Sequence, residues 1–162
     1  WIGDDVEIGA NAVVRGCILA AGASVEDLAM VEFSVLGPGA VVQRQAMVKY
    51  SVLGPRSAAG GLMQLGTLDR AAAIKRTGVL MDVSFGQGVR VRCGGRFYAA
   101  PLDMAGVCVG EGTTVGAGVS VAAGRSIPAG LKIVPSPDNL VVRIPDDIDG
   151  LVAVHDGTLR RM

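Results

Sequence analysis

A repeat of 17 residues constrains the fold of this chain more than any other feature of its sequence. Leu19, Leu36 and Leu53 lie 17 residues apart, and each is followed by alanine or glycine. Each repeat contains two further aliphatic residues six positions apart, such as Val25 and Val31. The unit therefore divides into steps of six, six and five residues. Internal repetition of this length is typical of a stacked, solenoid-like architecture.

Small residues form columns of their own within the repeat, two positions before nearly every aliphatic residue. Ala29 and Ala46 belong to one column, and Ser34 and Ser51 belong to another. Because residues two apart on a strand point to the same side, each step supplies one large and one small inward side chain. Three corners then close a triangular coil, and coils stack about 4.8 Å apart through parallel hydrogen bonding.

From Ile2 to Ala58 this pattern resembles the hexapeptide repeat of the left-handed parallel β-helix family. The resemblance alone implies the left hand, since parallel crossovers are otherwise right-handed. A chance run of short strands in a β-sandwich is the alternative, and four matched repeats disfavour it. The 24 glycines exclude an all-α fold, because each destabilises a helix interior by about 1 kcal/mol. The predicted fold class is all-β: a left-handed parallel β-helix with an inserted loop region and a C-terminal β-hairpin cap.

The predicted β-helix occupies residues 1–134, with a loop insertion at about 59–106. Spacing of six residues returns between 109 and 133. Within the interruption, residues 68–76 favour a short helix, and residues 83–92 contain one further six-residue step. The pattern therefore predicts a loop followed by a coil that carries another projection.

The end of the chain, residues 135–162, is predicted to form capping strands. Asp156-Gly157 is a strong signal for a two-residue hairpin turn, and a solenoid end needs a cap over its open core. One residue before this segment breaks the column rule. Arg125 stands two positions before Ile127, where a small inward residue is expected. Either the last coil opens there, or the guanidinium group leaves through the wall.

Charge and cysteine content exclude several classes of protein. Lys and Arg total 15 against 15 Asp and Glu, so neither nucleic acid nor an anionic membrane is an expected partner. No apolar run reaches the roughly 18 residues that span a bilayer, and no signal-peptide pattern is present. A cytoplasmic location is therefore expected.

Cys17, Cys93 and Cys108 form no CxxC pair, so neither a disulfide framework nor a zinc site is predicted. The sequence begins in mid-pattern at Trp1, so a fragment of a longer protein is expected.

Residues 48–67 are similar, without gaps, to the acetyltransferase half of bacterial bifunctional N-acetylglucosamine-1-phosphate uridylyltransferases. Matching motifs include Val48-Lys49, Leu53-Gly54 and Leu65-Gly66. The resemblance implies three substrate-binding positions: Lys49 at a lysine that contacts the sugar phosphate, Gln64 at a tyrosine and Ser84 at an asparagine. The catalytic histidine of that family falls on Gly61. No catalytic residue is therefore predicted, and acetyl-CoA is a cofactor only if another base acts.

The chain contains one histidine, His155, which is the alternative general base, since acyl transfer needs a base that titrates near neutral pH. It stands beside Asp156 in the terminal hairpin, where a surface role is expected. Zinc enzymes of the related carbonic anhydrase type use three histidines, so no metal site is predicted. Lys49 shares a column with Arg15 and Glu32, as a solvated outer row would. Alternating arginines at Arg90, Arg92 and Arg96 indicate an exposed strand face, with a phosphate or nucleotide clamp as the alternative.

The coils also look like the carboxy-terminal domains of sugar-nucleotide pyrophosphorylases, so two classes of function remain. The first is a catalytically degenerate domain that forms a homotrimer, binds a sugar phosphate or nucleotide, and is attached to a nucleotidyltransferase domain outside this sequence. The second is an acyl-CoA-dependent acyltransferase acting on a sugar phosphate or sugar nucleotide with a non-standard base. The glycine at position 61 favours the first class.

Overall fold

In the computed structural model the chain is a left-handed parallel β-helix of seven coils followed by an antiparallel hairpin, which confirms the predicted fold class. The structure describes residues 1–84, 88–93, 95–100, 102–136, 138, 141–146, 149–150 and 152–161. Across these residues, no helix is long and apolar enough to cross a bilayer.

Three parallel sheets form the faces of the β-helix, here named A, B and C in the order in which a coil visits them. Face A contains β3 (Ile18–Leu19), β6 (Val35–Leu36), β9 (Val52–Leu53), β12 (Thr67–Leu68), β17 (Cys108–Val109) and β20 (Ser126–Ile127). Face B contains β1 (Glu7–Ile8), β4 (Ser24–Val25), β7 (Val41–Val42), β10 (Ala58–Ala59), β13 (Ala73–Ile74), β18 (Thr114–Val115) and β21 (Lys132–Ile133). Face C contains β2 (Val13–Arg15), β5 (Met30–Glu32), β8 (Met47–Lys49), β11 (Leu62–Gln64), β14 (Val79–Leu80) and β19 (Ser120–Val121). Each strand pairs in register with the strand one coil away.

The inward columns pack as the sequence predicts. Leu19 and Leu36 are fully buried, and Ala29 and Ala46 are at most 2% exposed. Serine is tolerated in the third column because its hydroxyl group is satisfied within the wall. The Ser51 hydroxyl donates to the Lys49 carbonyl oxygen (2.6 Å) and accepts the backbone N–H of the next coil (3.2 Å). Burying a hydrogen-bonded hydroxyl avoids the desolvation penalty of an unpaired one.

Most corners contain one residue with positive φ, and the short corner at Gly60 and Gly61 is an exception. At the corner between faces C and A, here called the C–A corner, φ is 62° at Gly16, 47° at Phe33, 48° at Tyr50 and 55° at Leu65. Residues other than glycine adopt this conformation at a cost of about 1 kcal/mol. Hydrogen bonds between corners offset that cost, such as the bond from Tyr50 N–H to the Glu32 carbonyl oxygen (3.0 Å).

The chain leaves the coils later than the sequence indicated. Stacked strands continue from β10 to β14, so residues 59–80 belong to the β-helix. The step from Ala59 to Met63 is two residues shorter than the usual six, and this shift hides the repeat from a search for regular spacing. The short helix expected at 68–76 is wrong, because this stretch contains β12 and β13.

The chain leaves the coils after Met81 and rejoins them at Val107, which is fully buried in the core. The described residues between them, 82–84, 88–93, 95–100 and 102–106, project from the C–A corner between β14 and β17 and are here called the arm. The arm contains an antiparallel hairpin, β15 (Arg90–Cys93) and β16 (Arg96–Ala99), and an antiparallel bridge between Val83 and Met104. The further six-residue step expected at 83–92 lies partly outside the described residues. Where the structure describes this stretch, the chain enters the hairpin instead of another coil.

The terminal hairpin is confirmed. Strands β22 (Val152–His155) and β23 (Thr158–Arg161) pair antiparallel, and the turn residues Asp156 and Gly157 have φ of 49° and 70°. Positive φ at both turn positions is the conformation that Asp-Gly favours. The Gly157 carbonyl oxygen accepts the Val142 N–H (2.8 Å), which ties the hairpin to the preceding segment. Its role as a cap stays a prediction.

Candidate functional site

Four residues on face C form an outward row beside the C–A corner, here called the charged ladder: Arg15, Glu32, Lys49 and Gln64. They occupy the last positions of β2, β5, β8 and β11 and pair in register. The Lys49 Nζ lies 2.9 Å from Glu32 Oε2, and Arg15 Nη1 lies 3.3 Å from Glu32 Oε1. The structure thus brings two sequence-predicted binding residues, Lys49 and Gln64, into adjacent coils.

Lys49 is not a freely solvated cation. Its side chain is 25% exposed and that of Glu32 is 13% exposed. The hydrogen bond from Lys49 lowers the pKa of the Glu32 carboxyl group, partial burial opposes this effect, and the charges of Lys49 and Arg15 reinforce it. The Glu32 carboxylate is therefore ionised at neutral pH and neutralises the ammonium group that a phosphate would need.

Next to the charged ladder, the side chains of Phe33, Tyr50 and Leu65 form an exposed column, here called the apolar corner. The rings of Phe33 and Tyr50 stack with centroids 5.3 Å apart and an interplanar angle of 6°. About half of each ring is exposed to solvent. Sequence reasoning missed this pair, although two aromatic residues 17 positions apart in an aromatic-poor chain are the signal that marks it.

The arm extends the apolar corner into a groove. Tyr50, Gln64, Leu65, Leu102, Met104, Ala105 and Gly106 line an open, mostly apolar space of about 520 Å³. Gly106 lies directly against the backbone of Leu65, which fixes this wall of the groove. The C–A corner thus combines charged, aromatic and aliphatic surface.

Gly61 lies at the corner between faces B and C, at the opposite end of β11 from Gln64. Its carbonyl oxygen accepts the Met47 N–H of the preceding coil (3.1 Å). A Cβ atom built on Gly61 would overlap the carbonyl oxygen of Gly78. The backbone of the next coil therefore occupies the space that a catalytic side chain would need at this position.

Ser84 lines a different cavity, of about 310 Å³, between the arm and the last coils. Arg90, Ala123 and Arg125 line the same cavity. Arg125 is exposed, and its Nη1 donates to the carbonyl oxygens of Arg90 (3.0 Å) and Ala123 (3.1 Å). The sequence left two possibilities for Arg125: the last coil opens, or the guanidinium group leaves through the wall. The structure has the guanidinium group outside the interior. Ser84 and the pair Lys49 and Gln64 line separate surfaces.

His155 lies on β22, with 63% of its side chain exposed, and its Nδ1 is 3.3 Å from Asp156 Oδ2. This geometry suits a surface pair, and a role for His155 as a base stays a prediction. In the part of the chain that the structure describes, no three His, Cys, Asp or Glu side chains converge as metal ligands would.

Comparison with known proteins gave no match to a family model and none to a curated protein. The structure alone establishes the parallel β-helix. The resemblance to sugar-phosphate acetyltransferases stays a prediction.

Proposed function

We propose that this chain is a β-helix domain that assembles copies of its own protein and catalyses no reaction itself. The observation that carries the proposal is an apolar surface on both sides of the apolar corner. On face A the outward residues Ile18, Val35 and Val52 are 47%, 38% and 47% exposed. On face C, Met30, Met47 and Leu62 form a second apolar row, which the charged ladder separates from the apolar corner.

Face B differs from this surface. Its outward row is polar or small at every position except Val41: Glu7, Ser24, Val41, Ala58, Ala73, Thr114 and Lys132. A contiguous exposed apolar patch marks an interaction site more often than a solvated face, and aromatic and methionine side chains are enriched in interface cores. Identical chains associate mostly with closed cyclic symmetry. Because two apolar faces of a triangular prism meet at the C–A corner, three copies can pack around that corner, and a homotrimer is the assembly we propose. Such an assembly places the arm against a neighbouring copy.

Gly61 supports the non-catalytic part of the proposal. A general base contributes on the order of 10²- to 10⁴-fold to acyl transfer, and no base can be accommodated at this position without moving the adjacent coil. The chain's single histidine lies in the terminal hairpin. In this proposal the domain has the β-helix expected of the acetyltransferases it resembles, but it lacks their catalytic general base.

Light scattering coupled to gel filtration tests the assembly. We expect three times the chain mass of 16.5 kDa at micromolar concentration. Val52→Lys places a charge on the exposed row of face A and should shift the mass towards one chain. Ser24→Lys, on the outward row of face B, is the matched control and should leave the mass unchanged. A monomer in the unmodified protein overturns the proposal.

The acyltransferase class is tested separately by thiol release from acetyl-CoA with sugar-phosphate and sugar-nucleotide acceptors. We expect no turnover above background. Turnover that disappears in His155→Ala would replace the non-catalytic proposal with the acyltransferase one. Attachment to a nucleotidyltransferase domain and ligand binding by Lys49 also stay predictions. The pairing of Lys49 with Glu32 weighs against phosphate binding by that residue.

A further inference from the structure

We propose that the cavity between the arm and the last coils binds a phosphate monoester through Arg90 and Arg125. This site lies outside the charged ladder and does not depend on assembly. Ser84 lines the same cavity, and Ser126 lines an adjoining one of about 360 Å³ with Phe97, Gly124 and Arg125.

The side chain of Arg125 is held in a fixed direction by hydrogen bonds to the backbone carbonyl oxygens of Arg90 and Ala123. Two hydrogen bonds use Nη1, so its other guanidinium N–H groups have no partner among the described residues. Guanidinium carries five N–H donors in a rigid planar arrangement that matches two phosphate oxygens. An arginine oriented in this way is prepared to donate further hydrogen bonds into the cavity.

Arg90 supplies the second cation. Its guanidinium carbon lies 5.2 Å from the centre of the Phe97 ring, which holds the side chain by a cation–π contact. The Arg90 backbone carbonyl accepts from Arg125, so the two residues are direct neighbours. Both residues line the cavity.

Neither arginine has a carboxylate partner within the described part of the chain. The described ion pairs involve other residues, and Asp103, which lies against the backbone of Gly88, does not line the cavity. Because neither guanidinium group is paired with a carboxylate there, each can donate charge-assisted hydrogen bonds to a phosphate dianion. The cavity volume of about 310 Å³ and the zero net charge of the chain favour a small-molecule phosphate over a polyanion.

Contacts at Gly124 fix the position of the arm, and with it the placement of Arg90 beside Arg125. Gly124 has φ of 70°, and its N–H donates to the Ala105 carbonyl oxygen (2.8 Å). A Cβ atom at Gly124 would lie 2.8 Å from Val89 Cγ1. The hairpin therefore rests on a bare glycine backbone, which sets the separation of Arg90 and Arg125.

Isothermal titration calorimetry of the full chain with glucose 1-phosphate and with inorganic phosphate tests the proposal at constant ionic strength. We expect saturable binding of glucose 1-phosphate with a Kd of about 1 mM or below, and none of glucose. Binding of inorganic phosphate as well would show that the phosphate group alone is recognised. Binding of the sugar ester only would show that both parts contribute. Either outcome supports the site.

Variants locate the binding. Arg90→Gln and Arg125→Gln should each weaken it about tenfold or more, because each removes charge-assisted hydrogen bonds. Arg160→Gln, which changes an exposed arginine of the terminal hairpin, is the matched control and should leave it unchanged. Arg90→Gln removes only an exposed side chain, so an unaltered melting temperature will show that its fold is intact.

Absence of saturable binding at about 20 mM ligand, or binding that survives both arginine variants, overturns the proposal. Loss of binding in Lys49→Gln alone would move the site to the charged ladder and also overturns it. The mass from light scattering is measured independently, so a failure of this site is distinguishable from a failure of assembly.

Discussion

Glycines occupy this β-helix for two different reasons. Gly112 is at a corner with φ of 66° and has nothing within 4 Å of a would-be Cβ atom, so its backbone conformation alone favours glycine. Gly61 has no positive φ, but the adjacent coil leaves no space for a Cβ atom. Substitutions at these two positions therefore measure separately the free-energy cost of a positive φ and the free-energy cost of steric overlap.

Gly61→Ala should lower the free energy of unfolding by about 2 kcal/mol or more, because the methyl group meets rigid backbone. Gly112→Ala should cost only about 1 kcal/mol, the penalty for positive φ. Urea unfolding of the two variants measures both values. Equal destabilisation would mean that the corner at Gly61 relaxes freely.

Ala29→Leu tests the inward column. Ala29 is fully buried between coils, and overpacking costs about 1 to 3 kcal/mol, which lowers the melting temperature by roughly 2 to 12 °C in a chain of this size. Arg15→Ala, whose side chain is 69% exposed, is the control and should change the melting temperature little. Calorimetric melting curves that coincide for the two variants would contradict the column assignment.

Glu32 should make stability depend on pH at the acidic side. Its pKa is lowered in the folded state, chiefly by Lys49, so its contribution is complete above the unfolded carboxyl pKa of about 4 and is lost as pH falls through the lowered value. Urea midpoints of wild type and Glu32→Gln should differ at pH 7 and converge towards pH 3. Glu111→Gln, whose carboxylate is 60% exposed, should track wild type at every pH. A difference that grows on acidification would reverse the assigned sign.

At the scale of elements, Gly124 joins the arm to the β-helix, because its N–H donates to the Ala105 carbonyl oxygen and its α-carbon faces Val89. Gly124→Ala introduces a methyl group against Val89, whereas Gly118→Ala introduces one into open space at the same φ of 70°. We expect trypsin to cleave the arm at least about fivefold faster in Gly124→Ala, because about 1 kcal/mol of strain raises the open population by that factor.

Mass spectrometry of the tryptic fragments identifies the cleaved bonds, which should follow Arg90, Arg92 or Arg96. Gly118→Ala should be cut at the wild-type rate. Faster cleavage within the coils rather than in the arm would show that Gly124 stabilises the β-helix itself.

The elements that sequence could predict are those governed by local repetition. Strands β3 to β9 follow from residues at fixed spacing, and the terminal hairpin follows from Asp156-Gly157. The step from Ala59 to Met63 escaped prediction because it is shorter by two residues, which changes the phase while preserving the stacking. The arm hairpin escaped because its position depends on contacts such as Arg125 with Arg90, 35 residues apart in sequence.

The candidate site divides in the same way. The common column of Glu32 and Lys49 is visible in the sequence, since both follow the 17-residue repeat. Whether Lys49 points to solvent or to Glu32 is decided by side-chain geometry, which the repeat does not specify. Ser84 and Arg125 line one cavity only when the arm is folded, and residue spacing does not specify how the arm folds.

At the scale of the whole molecule, burial is uneven along the β-helix axis. Ile2 and Ile8 in the first coil are 59% and 46% exposed, whereas Leu36 and Val42 in the third are fully buried. Because each coil of a solenoid contacts only its neighbours, local opening should begin at the ends. Hydrogen exchange should be fastest in β1 and β21 and slowest in β6 to β9. Uniform protection along the axis would indicate a single cooperative unit.

The short corner at Gly60 and Gly61 also determines how the length of such a chain can change. Stacking requires only that strands stay in register, so residues can be removed or added between strands while the ladders persist. This chain contains both cases, a corner reduced by two residues and another expanded into the arm. Corners are therefore the sites where segments could be grafted. A sequence alignment of such chains needs gaps at the corners, because without them residues from different faces would be paired.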